Sequence, residues 1–204
     1  MKIINLEQNS PEWLDYRKGK ITGSKLKDIV VKRGTQKKIG FYQLIADKIA
    51  VDHSEESPMD RGHRLENEAI TKFQEKYGVE VDQVGFCQSE EIPEIGISPD
   101  GLVKHNDIYD EAVEVKCLSS AKHLKAYFEQ EIPKEYIEQA MQYFIVIPKL
   151  KILHFAFYDP RVTCKDFFTI QLKREDYEEE IENLKEYQEV TLSEINKYIT
   201  KISF

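Results

Sequence analysis

The sequence contains acidic and basic residues at a spacing that suits metal-assisted hydrolysis. Asp100 lies in a Ser-Pro-Asp-Gly turn, and thirteen residues separate it from Glu114, the first residue of a Glu-Val-Lys run that ends at Lys116. Two carboxylates on adjacent strands can bind Mg²⁺ or Mn²⁺, which favour oxygen ligands. Such an ion lowers the pKa of a bound water and neutralises charge that builds on a phosphoryl group. A lysine beside it can orient the water or assist its deprotonation.

The run around Glu114 predicts a strand with two different faces, because side chains alternate along a strand. One face takes Val113, Val115 and Cys117, and the other takes Glu114 and Lys116. The pattern has an equally good structural explanation, in which Asp100 only forms a turn and the charged face is exposed to solvent.

A third carboxylate favours the chemical interpretation. Residues 61–77 have helical spacing, and apolar residues follow Glu66 at i+3, i+4 and i+7, so Glu66 falls on the apolar stripe of that helix. An inward-pointing glutamate needs a metal, a basic partner or a proton. Glu66, Asp100 and Glu114 can therefore form an acidic metal cage, unless Glu66 pairs with a basic residue or lies at the edge of the stripe.

The elements that would position these residues follow from periodicity and turn signals. We predict helices at residues 10–19, 24–30, 40–50, 61–77, 119–128, 133–147 and 174–202, and strands at 79–86, 95–98, 101–104, 111–117, 151–158 and 166–172. Strands flanked on both sides by helices indicate an α/β (mixed α+β) fold with a central mixed β-sheet. We expect one domain over 1–204, with a basic helical N-terminal lobe at 1–60, a catalytic core at 61–172 and a C-terminal helical region at 173–204.

Composition narrows the functional class. The chain has 204 residues and is 41% hydrophobic, which suits one globular domain. No stretch of about 18 uncharged apolar residues predicts a membrane span, and the N-terminus does not resemble a signal peptide. Three scattered cysteines argue against a disulfide framework and against a zinc or iron–sulfur site. The net charge of -8 hides a basic segment at 17–38 and an acidic one after 174.

Six segments in the same order resemble the phage lambda exonuclease family, the YqaJ-like viral recombinases of the PD-(D/E)xK nuclease superfamily. They are residues 12–24, 61–69, 98–102, 113–117, 136–143 and 155–161. Each segment is weak by itself, but six in order are specific. The resemblance implies a restriction-endonuclease-like core, and it is loose at 31–60 and 119–133, which would help to shape a DNA channel.

The resemblance implies roles for the acidic cluster and its lysine. Asp100 and Glu114 match the metal-binding acids of the family, and the main-chain carbonyl of Val115 would complete the metal shell. Lys116 matches the catalytic lysine. Glu66 matches the helix-borne acid near a second metal, so the family pattern implies two Mg²⁺ ions per site, with Mn²⁺ as a substitute.

The same resemblance implies a pocket for the attacked strand. Arg17 matches the arginine that holds the 5′-phosphate together with nearby hydroxyls such as Ser24, and Ser98 lies beside that pocket. An arginine can grip a phosphate with two parallel hydrogen bonds. Gln139 matches the glutamine near the water and the scissile phosphate, and Tyr136 would line the same wall.

The family implies a Mg²⁺-dependent 5′→3′ exonuclease that degrades linear double-stranded DNA to mononucleotides and leaves 3′ single strands. Its partners would be double-stranded DNA ends and a single-strand annealing protein of phage recombination. By resemblance we expect a homo-oligomer, a ring trimer. We also expect a phage or prophage protein that acts in the cytoplasm of a bacterial host and does not associate with a membrane.

Other functions share part of this pattern. An endonuclease of the same superfamily, for restriction or junction resolution, would use the same active site. A DNA-end-binding protein without turnover would lose the need for an intact Asp100, Glu114 and Lys116 set. A single-strand nuclease with an iron–sulfur cluster would need more closely spaced cysteines than this chain has.

Overall fold

A five-stranded mixed sheet lies at the centre of the molecule in the computed structural model, which describes residues 10–16, 28, 34–50 and 58–202. Its strands are β1 (Val81–Asp82), β4 (Gly101–His105), β5 (Ile108–Lys116), β6 (Ile152–Tyr158) and β7 (Phe167–Lys173), in the order β1-β4-β5-β6-β7. β5 and β6 are parallel and the other neighbouring pairs are antiparallel. A separate two-stranded sheet pairs β2 (Cys87–Gln88) with β3 (Gly96–Ile97).

Six α-helices flank these strands in the described part of the chain. They are α1 (Pro11–Tyr16), α2 (Ile39–Ile49), α3 (Pro58–Tyr77), α4 (Ser120–Glu129), α5 (Ile137–Val146) and α6 (Glu178–Ile202). The hydroxyl oxygen of Ser119 accepts a hydrogen bond from the Lys122 amide and caps α4, which ends where Gln130 adopts a left-handed conformation. The mixed α/β fold predicted from the sequence is confirmed.

The sheet is covered on both faces, as the apolar content of β5 and β6 requires. α3 packs on one face through Leu65, Ala69, Ile70 and Phe73, which meet the inward valines of β4 and β5. α5 packs on the other face, where its side chains join those of β6, β7 and α6. Each fully buried large apolar side chain contributes about 1.5–3 kcal/mol, so these two layers hold β5 firmly between α3 and α5.

A tight hairpin fixes the register of β4 and β5. His105 pairs with Ile108, and the two residues between them, Asn106 and Asp107, both have positive φ angles of 50° and 63°. This is the geometry of a two-residue turn whose twist matches the flanking strands, and asparagine and aspartate tolerate it better than other residues with side chains. The turn, together with an irregularity between Val103 and Lys104, sets the pairing of Gly101 with Val113.

The parallel pair β5 and β6 needs a long crossover, because their chain directions agree. Residues 117–151 supply it, and they contain both α4 and α5. The crossover therefore delivers α5 to the sheet face that carries the side chains of Glu114 and Lys116.

Several element boundaries differ from the sequence prediction. Of the strand predicted at 79–86, only Val81 and Asp82 pair with β4, because the following residues leave the edge of the sheet for a loop that leads to β2. The helix predicted at 133–147 begins as a separate 3-10 turn at Lys134–Tyr136 before α5. Of the predicted 24–30 helix only residue 28 is described, and residues 17–19 of the first helix lie outside the described residues. Among the helices described, none is long and apolar enough to cross a membrane.

Candidate active site

The hairpin register brings the two predicted metal-binding acids together. Gly101 pairs with Val113, so Asp100, one residue before β4, lies opposite Glu114 on the neighbouring strand. Directly opposed residues of an antiparallel pair have Cβ atoms about 4.5–5.5 Å apart. The Asp100 carboxylate is anchored there, since its Oδ2 accepts a hydrogen bond of 2.7 Å from the Val115 amide.

Glu114 is the centre of a buried hydrogen-bond network and is only 4% exposed. Its Oε1 accepts from the Lys116 Nζ at 2.6 Å and from the Gln139 Nε2 at 2.7 Å, and its Oε2 accepts from the Tyr143 hydroxyl. The Lys116 Nζ also donates to the Gln139 Oε1 at 3.0 Å, which closes a ring of three polar side chains. The same ammonium lies 4.3 Å from the centre of the Tyr136 ring, a cation–π contact.

The charges at the site are unevenly balanced. Burial raises the pKa of Asp100 well above its usual range, and the nearby negative charges of Glu114 and Glu66 raise it further; the Val115 amide and Lys116 oppose this shift. Burial and the neighbouring Glu114 also raise the pKa of the Tyr143 hydroxyl, so it remains a hydrogen-bond donor. Carboxylates crowded in this way are stabilised by a proton or a cation.

The chemistry of the donors fits a hard divalent cation. Asp100, Glu114 and Glu66 would supply carboxylate oxygens, and Val115 a main-chain carbonyl, which are ligand types that Mg²⁺ and Mn²⁺ prefer. Burial, followed by the negative charges of Glu114 and Glu66, raises the pKa of Asp100, and Lys116 opposes this shift only in part. Among the described residues, no group of three or more His, Cys, Asp or Glu side chains is arranged to hold a metal ion.

A second buried carboxylate directly follows the C-terminal end of β6, which lies beside the C-terminal end of β5, and its environment is different. Asp159 is fully buried and accepts a hydrogen bond of 2.7 Å from the Ser120 hydroxyl. The Arg161 guanidinium donates to both of its carboxylate oxygens, at 2.8 and 3.0 Å, and also to the Leu118 carbonyl at 3.4 Å. We call Ser120, Asp159 and Arg161 the Asp159 cluster; it ties the end of β6 to the chain that follows Lys116.

Comparison with known proteins identifies the family. The model of the YqaJ-like viral recombinase domain matches residues 12–148, well over half of the chain. The chain belongs to the YqaJ-like viral recombinase family. This confirms the resemblance on which the sequence interpretation depended.

Solved structures support the fold of this chain. An alkaline exonuclease (LHK-Exo) from Laribacter hongkongensis superposes with a TM-score of 0.56 at 24% sequence identity. The structure of LHK-Exo in complex with dAMP gives the same TM-score at 23% identity. In both cases the match covers 95% of this chain and 100% of the other. A comparison with curated protein sequences gives no match.

The fold brings most of the site residues predicted from the sequence together around Glu114. Asp100, Lys116, Gln139 and Tyr136 contact Glu114 or each other, or lie directly across the hairpin. Glu66, half-buried on α3, is close enough to raise the pKa of Asp100. Ser98 is exposed two residues before Asp100. Arg17 and Ser24 lie outside the described residues.

Two features of the site were not expected from the sequence. The sequence predicts that Glu114 lies on the charged face of its strand, but α5 covers that face and buries the carboxylate. Tyr143, which donates to Glu114, was missed because a tyrosine among apolar helical residues is typical of a core position. One signal could have found it: Tyr143 follows Gln139 by four residues, so both side chains lie on the same face of α5.

Proposed function

We propose that this recombinase is a divalent-metal-dependent nuclease that degrades linear double-stranded DNA from its 5′ ends, releases mononucleotides and leaves 3′ single strands. One observation carries the proposal. The buried carboxylate of Glu114 lies opposite Asp100 and is hydrogen-bonded to both Lys116 and Gln139. An acidic pair with a lysine and an amide in direct contact is a set suited to activating water against a phosphodiester.

The side chains divide the work of hydrolysis. Lys116 and Gln139 are linked to each other and to Glu114, so their remaining donors and acceptors can hold a water molecule in one orientation. The Lys116 ammonium also offsets negative charge that develops on the phosphate. Tyr143 and the Val115 amide hold Glu114 and Asp100, so the two carboxylates keep their positions while the substrate enters.

The proposed cofactor is Mg²⁺, with Mn²⁺ as a substitute and two ions per site. Asp100, Glu114, Glu66 and the Val115 carbonyl would hold them. When bound, the ions supply Lewis-acid stabilisation of phosphate charge and lower the pKa of water. Asp100 would bind in its ionised form, and a cation favours that form against the burial and repulsion that now raise its pKa.

The direction of digestion and the partners are further parts of the proposal. Arg17, Ser24 and Ser98 would hold the 5′-phosphate, as the family pattern implies, and Ser98 is exposed beside Asp100. Membership of a viral recombinase family supports a single-strand annealing protein as partner. We propose a homo-oligomer, a trimer, by family resemblance alone. Its site of action would be the cytoplasm of a bacterial host.

A digestion time course tests the proposal. Linear duplex with a label at one 5′-phosphate is compared with a circular copy of the same DNA, in Mg²⁺ and in EDTA, for the wild type and Asp100→Asn. We expect loss of the linear duplex from its 5′ ends in Mg²⁺ only, an intact circle and an inactive variant.

The matched control is Asp107→Asn, which makes the same acid-to-amide change in the turn of the same hairpin. Asparagine tolerates the positive φ of that position, so this variant should cut like the wild type. Cutting of the circle would identify an endonuclease of the same superfamily. Tight binding to DNA ends without digestion of either substrate would contradict a catalytic role for the site.

A further inference from the structure

Phe86 exposes an aromatic ring that packs closely on a glycine. The residue is 64% exposed, yet its ring lies directly on Gly96 of β3. A Cβ atom at position 96 would come within 2.1 Å of the ring Cζ and 2.8 Å of the Cys87 carbonyl oxygen. Glycine is therefore required for this close approach, and the ring rests on backbone with its other face open to solvent.

The ring lies on the same side of the extended chain as Ser98, which the proposed function places at the 5′-phosphate. Burial alternates through residues 95–100: Ile95, Ile97 and Pro99 are buried, whereas Gly96, Ser98 and Asp100 are not. In extended chain, alternate residues share a face, and Pro99 favours extended conformation at Ser98. A side chain at Gly96 would point into the Phe86 ring, so Phe86 covers the face from which Ser98 projects, two residues before Asp100.

The separation suits a strand of nucleic acid. Asp100 follows Gly96 by four residue steps, and a chain segment of that length spans at most about 14 Å. Successive nucleotides of one strand are about 3.4 Å apart in duplex DNA, so the Phe86 ring lies within about four nucleotide steps of a phosphate held at Asp100. Flat aromatic rings bind bases of any sequence by stacking, which is the property that a nuclease without sequence preference needs.

We propose that Phe86 is a stacking platform for a base of the DNA strand that is held at Asp100 and Glu114. The inference rests on the proposed nuclease function and adds a DNA-binding residue to it. The platform takes the base of a nucleotide near the strand end, and one side of the ring packs on Gly96.

Charge around the ring favours a base over the sugar-phosphate backbone. The loop between β2 and β3 carries Glu90, Glu91 and Glu94, which repel phosphate groups. Only Glu91 has a cationic partner among the contacts of this loop that the structure describes, with its Oε2 atom 2.6 Å from the Lys185 Nζ. A strand that crosses Phe86 would therefore turn its phosphates toward Lys116 and its bases toward the ring.

The test measures stacking and digestion separately. A series of duplexes carries the fluorescent base 2-aminopurine at one of the first six positions from the 5′ end. The protein binds each duplex in Ca²⁺, which also takes oxygen ligands and is used in place of Mg²⁺. Wild type, Phe86→Leu and Phe86→Trp are compared. We expect quenching at one or two positions with wild type and Phe86→Trp, loss of that quenching with Phe86→Leu, and a roughly tenfold rise in KM for Phe86→Leu with Mg²⁺.

Ile108→Ala is the matched control, because Ile108 is an exposed apolar residue at the opposite end of β5 from Lys116. It should quench and digest like the wild type. If the wild type digests DNA and both Phe86 variants digest it equally well, the stacking role is wrong and the nuclease function still holds. Equal loss with Phe86→Leu and Phe86→Trp, with lowered Tm in both, would show that the ring only covers Gly96. Quenching by a wild type that does not digest DNA would contradict the nuclease function and keep the platform.

Discussion

Two buried carboxylate clusters lie on neighbouring parts of the same sheet and differ in how their charge is balanced. In the Asp159 cluster, one carboxylate receives a two-pronged guanidinium and a hydroxyl. At Glu114 and Asp100, carboxylates crowd each other, and burial with mutual repulsion raises the pKa of Asp100. Only Lys116 makes a direct ion pair with either of them in the described part of the chain.

The difference in charge balance distinguishes a carboxylate that stabilises the fold from carboxylates that are suited to bind a ligand. A buried charge that is fully paired contributes to the native structure and is costly to break. A buried charge that is left partly unbalanced costs stability, and proteins retain such sites where a ligand, a metal or a reaction supplies the missing charge. We therefore interpret the Asp159 cluster as structural, and the Glu114 network fits the proposed binding site.

The largest expected effect is on activity. Asp100→Asn should lower the rate of DNA cleavage by at least about a thousandfold, which corresponds to about 4 kcal/mol, because the amide removes a charge that the proposed function assigns to metal binding. The same change removes repulsion with Glu114 and keeps an oxygen for the Val115 amide. Urea unfolding should therefore give equal or greater stability than the wild type. A clear loss of stability would show that the Asp100 charge is structural.

The opposite result is expected at the Asp159 cluster. Asp159→Asn leaves the Arg161 guanidinium without its carboxylate, so the free energy of unfolding should fall by about 3 kcal/mol. Cleavage per folded molecule should stay near the wild-type rate, measured at a temperature where the variant remains folded. The comparison would fail if this variant kept full stability but lost cleavage.

Tyr143→Phe tests the support of Glu114. The substitution removes the hydroxyl that donates to Glu114 and keeps the ring in the core. We expect cleavage to slow by about tenfold, with a loss of stability of about 1 kcal/mol. An increase in the Mg²⁺ concentration needed for half-maximal rate would locate the effect at the carboxylate. A variant that lost stability alone would reduce Tyr143 to a core residue.

The smallest effect concerns His154, which packs on the α3 side of β6. Burial lowers the pKa of its imidazole, although the hydrogen bond with Glu111 opposes the shift. The unfolded chain therefore takes up a proton before the native state does, and stability should fall as pH drops below about 6.5, by about 1 kcal/mol. Urea unfolding at pH 7.5, 6 and 5 should show this fall, and His154→Gln should reduce it. An unchanged pH dependence would assign the effect to other groups.

Much of the arrangement follows from short-range sequence signals. Strand alternation puts Glu114 and Lys116 on one face, and the helical stripe brings Glu66 toward the sheet. These inferences work because side-chain direction within one element is set by its period. The mixed sheet also follows, since strands separated by helical segments need crossovers.

Contacts between distant elements could not be predicted in this way. The burial of Glu114 and the hydrogen bond from Tyr143 depend on how the 117–151 crossover lies on the sheet, which no local pattern specifies. The paired part of β1 is short for a similar reason: pairing at a sheet edge is limited to the residues where the chain runs beside its neighbour, which β-propensity does not specify. The close approach of Phe86 to Gly96 is equally a matter of tertiary packing.

The two-residue turn at Asn106 and Asp107 also limits how this chain can change in length. Insertions in surface loops generally cost little free energy. Here an added residue must either be absorbed by a wider turn or shift the pairing of β5 by one position, which would transfer Glu114 and Lys116 to the α3 side of the sheet. We therefore expect natural relatives to vary in length elsewhere and to keep the number of residues between Asp100 and Glu114 nearly constant.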